Sequence, residues 1–196
     1  IGDTRGRCTT GIGFSGLTIT KTETNTTNTE SSDEDPLRFH QPTINDGAAI
    51  YELVQACPPL DLNTNYVYLL LSKHFAQTCI VAYDADQLVG FISAYRHPQK
   101  KQTLFIWQVA VHATMRGRGV AQKMLDALLD REGLEDIRFI ETTVDPDNSS
   151  SRRLFEKLAQ RHQAQLTELD FLIAEHFVKP QVEPLLRIGP LTTNLL

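Results

Sequence analysis

From Leu37 onward the apolar positions change period repeatedly, and strand-like runs alternate with helical spacing. Ile50, Leu53 and Val54 follow Asp46, a residue suited to an N-cap, and Cys57-Pro58-Pro59 ends the helix they predict. A second helix is expected to start at Asn63 or Thr64 and to place Val67, Leu70, Leu71, His74 and Phe75 on one face. Residues 78–82 and 88–95 read as strands around Asp84-Ala85-Asp86-Gln87, a hairpin turn by composition, and a third strand spans 103–112. Val120, Met124, Leu125, Leu128 and Leu129 then mark a helix ending near Gly133, with Arg131 in its last turn. A strand over 137–144, a loop at Asp145-Pro146-Asp147-Asn148, a helix carrying Leu154, Phe155, Leu158 and Ala159, and strands over 165–174 and 185–188 complete the pattern. The alternation predicts an α/β (α+β) fold without internal repeats.

The first 35 residues break that pattern. They hold ten Thr, three Ser and five Gly, and no large apolar side chain occurs from Thr20 to Asp35. Such a segment cannot offset its backbone entropy by burial, so a disordered tail is expected over 1–35 and a folded domain over 37–190. Its acidic residues argue against a mitochondrial transit peptide.

Composition narrows the class. No apolar run reaches the length of a membrane span and no secretory signal opens the chain, so a cytoplasmic protein without membrane partners is expected. Cys8, Cys57 and Cys79 are scattered and lack CxxC or nearby His spacing, which argues for reduced thiols and no metal site. A formal net charge of −5 lacks the basic footprint of a nucleic-acid binder and suits a small cationic ligand.

The chemistry concentrates in Trp107-Gln108-Val109-Ala110-Val111-His112-Ala113-Thr114-Met115-Arg116-Gly117-Arg118-Gly119-Val120-Ala121, a strand leading through a Gly-rich turn into a helix. A helix N-terminus offers unpaired N–H groups, Gly admits a close phosphate, and Arg116 and Arg118 add charged donors. A tight strand-to-helix connection with two solvated arginines explains the same residues. A P-loop is excluded because no Gly-Lys-Ser/Thr occurs, and a dinucleotide fingerprint because the glycines follow a third strand.

Arg116, Gly119 and Ala121 match the Arg/Gln-x-x-Gly-x-Gly/Ala signature of the GCN5-related N-acetyltransferases, and Asn148, Ser151, Leu154 and Phe155 resemble that family's second cofactor motif. The resemblance implies a mixed, mostly antiparallel sheet flanked by helices. It implies acetyl-CoA as cosubstrate, its pyrophosphate on Arg116, Gly117, Arg118, Gly119, Val120 and Ala121, its pantetheine arm along Val109, Ala110 and Val111, and further contacts from Asn148 and Ser151. The tyrosine often assigned as the family's general acid is Phe155 in this chain.

Pro59-Leu60-Asp61-Leu62-Asn63 with Tyr66 and Tyr68, Leu104 to Val111, Glu141-Thr142-Thr143-Val144 and Leu186-Arg187-Ile188 resemble, more narrowly, the diaminobutyrate acetyltransferases of ectoine synthesis. This implies a diamino acid acceptor, acetylated at N4, and a homodimer through the C-terminal strands. Within that reading Asp61 is a counter-charge for ammonium groups, or else a helix cap. Trp107 lines the acceptor pocket, or fills the core. Tyr66 and Tyr68 are candidate acids or half-buried helix residues, and Glu141 is a lower-ranked candidate base. Glu183 is a further candidate for the substrate cation, and His74 and His162 are expected at the surface or as caps. An enzyme for another small amine, and a non-catalytic acetyl-CoA sensor, are the rival readings.

Overall fold

The computed structural model describes residues 37–179 and 181–192, so the expected disordered tail over 1–35 lies outside the described residues. Among the described residues seven strands form one sheet: β1 (Arg38–His40), β2 (Ile80–Asp84), β3 (Gln87–Arg96), β4 (Thr103–Val111), β5 (Phe139–Thr143), β6 (Gln165–Leu172) and β7 (Glu183–Gly189). Their order is β1-β2-β3-β4-β5-β7-β6. Only the β4–β5 pair is parallel; the others are antiparallel. The helices are α1 (Gly47–Gln55), α2 (Asn65–His74), α3 (Val120–Leu129) and α4 (Ser149–Arg161).

Two cores cover the two faces. On one, α3 and α4 bury Met124, Leu125, Leu128, Phe155 and Leu158 against Ile80, Ile92, Leu104, Ile106, Ile140 and Ile188. On the other, Ile50, Leu53 and Val54 of α1 and Tyr68 and Leu71 of α2 pack over Val81, Leu88, Phe91 and Ala110. Each fully buried aliphatic chain contributes about 1.5–3 kcal/mol, so these two layers supply most of the driving force that fixes the sheet.

The face expected for α2 needs correction. Leu70 and Phe75 are exposed, as is His74, while Tyr68, Leu71 and Ser72 are buried. Tyr68 meets Tyr51 and Phe91 edge-on, at ring separations of 6.3 and 6.2 Å, and this aromatic packing turns Leu70 outward. Asp46 precedes α1 as expected but does not cap it with its side chain. Its carboxylate instead accepts bonds from the Thr43 N–H (2.6 Å), the Thr43 hydroxyl (2.8 Å) and the Tyr83 hydroxyl (2.5 Å). Arg131 lies just past α3 and donates to the carbonyls of Gln77 (2.9 Å) and Cys79 (2.7 Å), tying the end of that helix to the turn entering β2.

Candidate active site

The site begins with an irregularity in β4. Ala94 of β3 opposes Ile106 and the preceding Ser93 opposes Gln108, which leaves Trp107 as an extra, unpaired residue. The Gln108 N–H bonds the Ser93 hydroxyl at 3.1 Å across this bulge. One inserted residue reverses side-chain alternation. Before it Leu104 and Ile106 enter the α3/α4 core; after it Val109 and Val111 do so, while Ala110 joins the α1/α2 core.

The bulge also marks where β4 and β5 part. Their parallel register ends at Ile106 opposite Thr142, so Val109, Ala110 and Val111 pair with β3 alone and keep one strand edge unpaired among the described residues. Between the diverging strands lies a cleft of about 680 Å³. One wall is the loop bearing Pro59, Leu60, Asp61 and Asn63, and the floor is Trp107, Gln108 and Val109. The opposite wall holds Thr142, Thr143, Asp145, Asp147, Asn148, Ser151 and Phe155, with Gln181 and Glu183 closing it. Among the described residues four carboxylates line this space, and no Lys, Arg or His does. A second surface pocket, between the C-terminal ends of α3 and α4, shares no residue with it.

Beyond Val111 the chain turns through residues 112–119 into α3. Gly119 is the N-cap of α3 at φ +77° and Gly117 has the same φ, a conformation that costs other residues about 1–2 kcal/mol. Apart from the adjoining residues, no atom of the described residues lies within 4 Å of where a Cβ would sit on either glycine, so a ligand can approach their backbone closely. Arg116 donates from Nε to the Val111 carbonyl at 3.1 Å, and Arg118 packs its guanidinium on the Met115 sulfur at 3.2 Å. The turn thus presents the N–H groups of Val120 and Ala121 with two arginines beside them, the donor set a pyrophosphate requires. Across the cleft Asn148 caps α4, accepting from the Ser151 N–H at 3.0 Å and the Ser150 hydroxyl at 2.9 Å.

The expected acceptor residues separate into two groups. Asp61 and Trp107 line the cleft, and Trp107 is 44% exposed, unlike a core aromatic. The helix-cap reading of Asp61 is excluded because the N-cap of α2 is Thr64. Glu183 also lines the cleft, where it accepts a bond from Gln181. Glu141 and Tyr66 do not line it. Glu141 is 2% exposed and bound through Oε1 by Arg187 at 2.6 Å and Lys100 at 3.0 Å, so the expectation that it acts as base is corrected: it lies outside the cleft, held in an ion-pair cluster between β5 and β7. Tyr66 is 67% exposed on α2 and its side chain lies outside the cleft lining. Asp145, Asp147 and Gln108 were not singled out by spacing. Gln108 had one signal, a polar residue inside an otherwise apolar strand.

The Acetyltransferase (GNAT) family matches residues 47–159, which include the bulge, the Gly-rich turn and the start of α4. The chain belongs to this family. GNAT members similar to it include the L-2,4-diaminobutyric acid acetyltransferase of Bordetella parapertussis, 46% identical over 88% of this chain and 97% of that protein. The enzyme of the same name from Marinococcus halophilus is 41% identical over 87% and 99% of the two chains. Among solved GNAT structures, the diaminobutyrate acetyltransferase EctA from Paenibacillus lautus, in complex with its substrate L-2,4-diaminobutyric acid and coenzyme A, superposes with a TM-score of 0.77. It is 39% identical and covers 82% of this chain and 99% of its own. The GNAT fold accounts for the mixed, mostly antiparallel sheet expected from the motifs.

Proposed function

We propose that the chain transfers the acetyl group of acetyl-CoA to the 4-amino group of L-2,4-diaminobutyrate, giving N4-acetyl-L-2,4-diaminobutyrate, a precursor of ectoine. The observation that carries this reading is the charge of the cleft. Asp61, Asp145, Asp147 and Glu183 line a space that opens on the unpaired edge of β4, while the arginines stand outside it at the Gly-rich turn. Polyphosphate and ammonium are thereby drawn to different ends of one strand. Relatives 41–46% identical carry the same acceptor in their names.

In this reading Arg116, Gly117, Arg118, Gly119, Val120 and Ala121 hold the pyrophosphate, the edge of Val109, Ala110 and Val111 pairs with the pantetheine arm, and Asn148 and Ser151 contact the same arm. The thioester then lies beside Trp107. An aliphatic ammonium, with a pKa of about 10, must lose a proton before it attacks. A carboxylate of the cleft, directly or through water, removes it; the freed amine attacks the carbonyl carbon, the C–S bond breaks and the thiolate takes up a proton. A β4 N–H bonds the developing oxyanion. Asp61 holds the α-ammonium away from the thioester, and placing both reactants in one cleft supplies about 7 kcal/mol or more of the barrier reduction. No Cys or Ser nucleophile is required.

The enzyme is read as a cytoplasmic homodimer that joins through the C-terminal strands, where the edge strand β6 exposes Leu169 and Phe171, and its role as osmoprotective. Thiol release measured over a panel of diamines and diamino acids tests the activity. Preference for L-2,4-diaminobutyrate is expected. A preference for a polyamine, or acetyl-CoA binding without turnover of any amine, overturns the reading.

A further inference from the structure

The bulge that opens the cleft also sets Gln108 to a task that no cofactor motif assigns. Trp107 is the inserted residue, so the side chain after it leaves the α3/α4 core and enters the layer beneath the loop carrying Asp61. There Gln108 is 5% exposed and satisfied at both ends. Its Nε2 donates to the main-chain carbonyl of Asp61 at 2.7 Å, and its Oε1 accepts from the Tyr68 hydroxyl at 3.4 Å. The same hydroxyl accepts the Asn63 N–H at 3.2 Å. The loop is therefore fastened at two backbone atoms, residues 61 and 63, to a strand position adjacent to Trp107 and to a fully buried tyrosine of α2.

We propose that Gln108 is a positioning residue for acceptor selectivity: it fixes the Asp61 loop at a set height over the bulge and so determines which of two amines reaches the thioester. This rests on the acceptor reading given above. A carboxylate selects between two ammonium groups a few ångströms apart only if its own backbone is held, and shifts of about 1 Å in a reacting geometry cost on the order of a hundredfold. Among the described residues, Asp61 has no other hydrogen bond to the sheet. An apolar side chain at position 108 would leave the Asp61 carbonyl without its donor and the buried Tyr68 hydroxyl without its acceptor.

Gln108→Glu keeps the volume and the acceptor for Tyr68 but sets an oxygen against the Asp61 carbonyl; Gln108→Met removes both bonds at similar size. Each is expected to raise the diaminobutyrate KM on the order of tenfold, as fits one lost bond and one stranded carbonyl, and to release N2-acetyl product beside N4. The acetyl-CoA KM is expected to stay within about twofold, because Gln108 touches no residue of the Gly-rich turn. Combined with Asp61→Asn, either substitution should add little, since both act through one carboxylate. Additive losses, clean N4 product, or an equal rise in both KM values overturns the proposal and leaves Gln108 as a packing residue. If one variant does not fold, the other gives the same readouts. Wild-type turnover tests the acceptor reading separately, and the variant-to-wild-type ratio is taken with whichever diamine the wild type acetylates.

Discussion

Glu141→Gln separates an architectural carboxylate from a chemical one. Glu141 sits on β5 directly opposite Arg187 of β7, and its Oε1 also meets Lys100 from the β3–β4 connection. Arg187 further stacks on the Phe139 ring, 4.2 Å from its centre. Breaking a buried ion pair by removing one partner costs about 3–5 kcal/mol. The amide keeps one acceptor, Arg187 keeps Phe139, and the side chains of Arg187 and Lys100 are 28% and 48% exposed, so solvent takes up part of both charges. That reduces the expected loss to about 2 kcal/mol. For a domain of this size the melting temperature should fall by about 4–8 °C. Circular dichroism melts give that shift, and kcat/KM against pH gives the chemistry. The acidic limb of the profile should survive, because the deprotonating group lies elsewhere in the cleft. A normal melt with the acidic limb abolished would refute this reasoning and restore Glu141 as base.

Other consequences are local. Gly119→Val should raise the acetyl-CoA KM and cost about 1–2 kcal/mol or more of stability, since a β-branched residue is strained at φ +77°; an unchanged KM removes the turn from the cofactor site. At Asp46, burial opposes ionisation, but bonds from Tyr83 and Thr43 outweigh it and hold the carboxyl below its ordinary value, while burial and the same Asp46 contact push Tyr83 up to about 12. The unfolded carboxyl therefore protonates first, and stability present at neutral pH is lost as pH falls below about 4; Asp46→Asn should lose about 1–2 kcal/mol at pH 7 and flatten that acid dependence, and an unaltered acid melt contradicts it. Deleting residues 1–35 should leave the cooperative melt and turnover intact, and loss of either moves the proposed domain boundary.

Most elements were legible because each has its own period. The helix at Val120–Leu129 and the hairpin of β2 and β3 follow from local spacing and turn residues. The face of α2 was not, because Leu70 and Tyr68 both satisfy helical spacing and only the rings of Tyr51 and Phe91 decide between them. The bulge at Trp107 was hidden by the apolar run around it, where a strand buried on both faces shows no alternation to interrupt. The Gly-rich turn was readable since its chemistry is contiguous in sequence. The acidic cleft was readable only in part: Asp61 and Glu183 follow from the family resemblance, but Asp145 and Asp147 do not, because the four carboxylates come from two separate loops and a strand end that the sheet brings together.

The central claim is that an anionic cleft at the splay of β4 and β5 orients a diamino acid for acetylation at one nitrogen. Asp61→Asn tests it most directly, read by the regiochemistry of the product, by kcat/KM and by the melt. Asp61 is exposed in the free cleft and becomes desolvated only under the bound diamino acid; removing one partner of such a pair costs about 2–5 kcal/mol, so kcat/KM for L-2,4-diaminobutyrate should fall roughly thirtyfold to several thousandfold, and N2-acetyl product should appear. Acetyl-CoA binding and melting temperature should hold, because Thr64 rather than Asp61 occupies the N-cap position of α2. Normal turnover with clean N4 product would contradict the account.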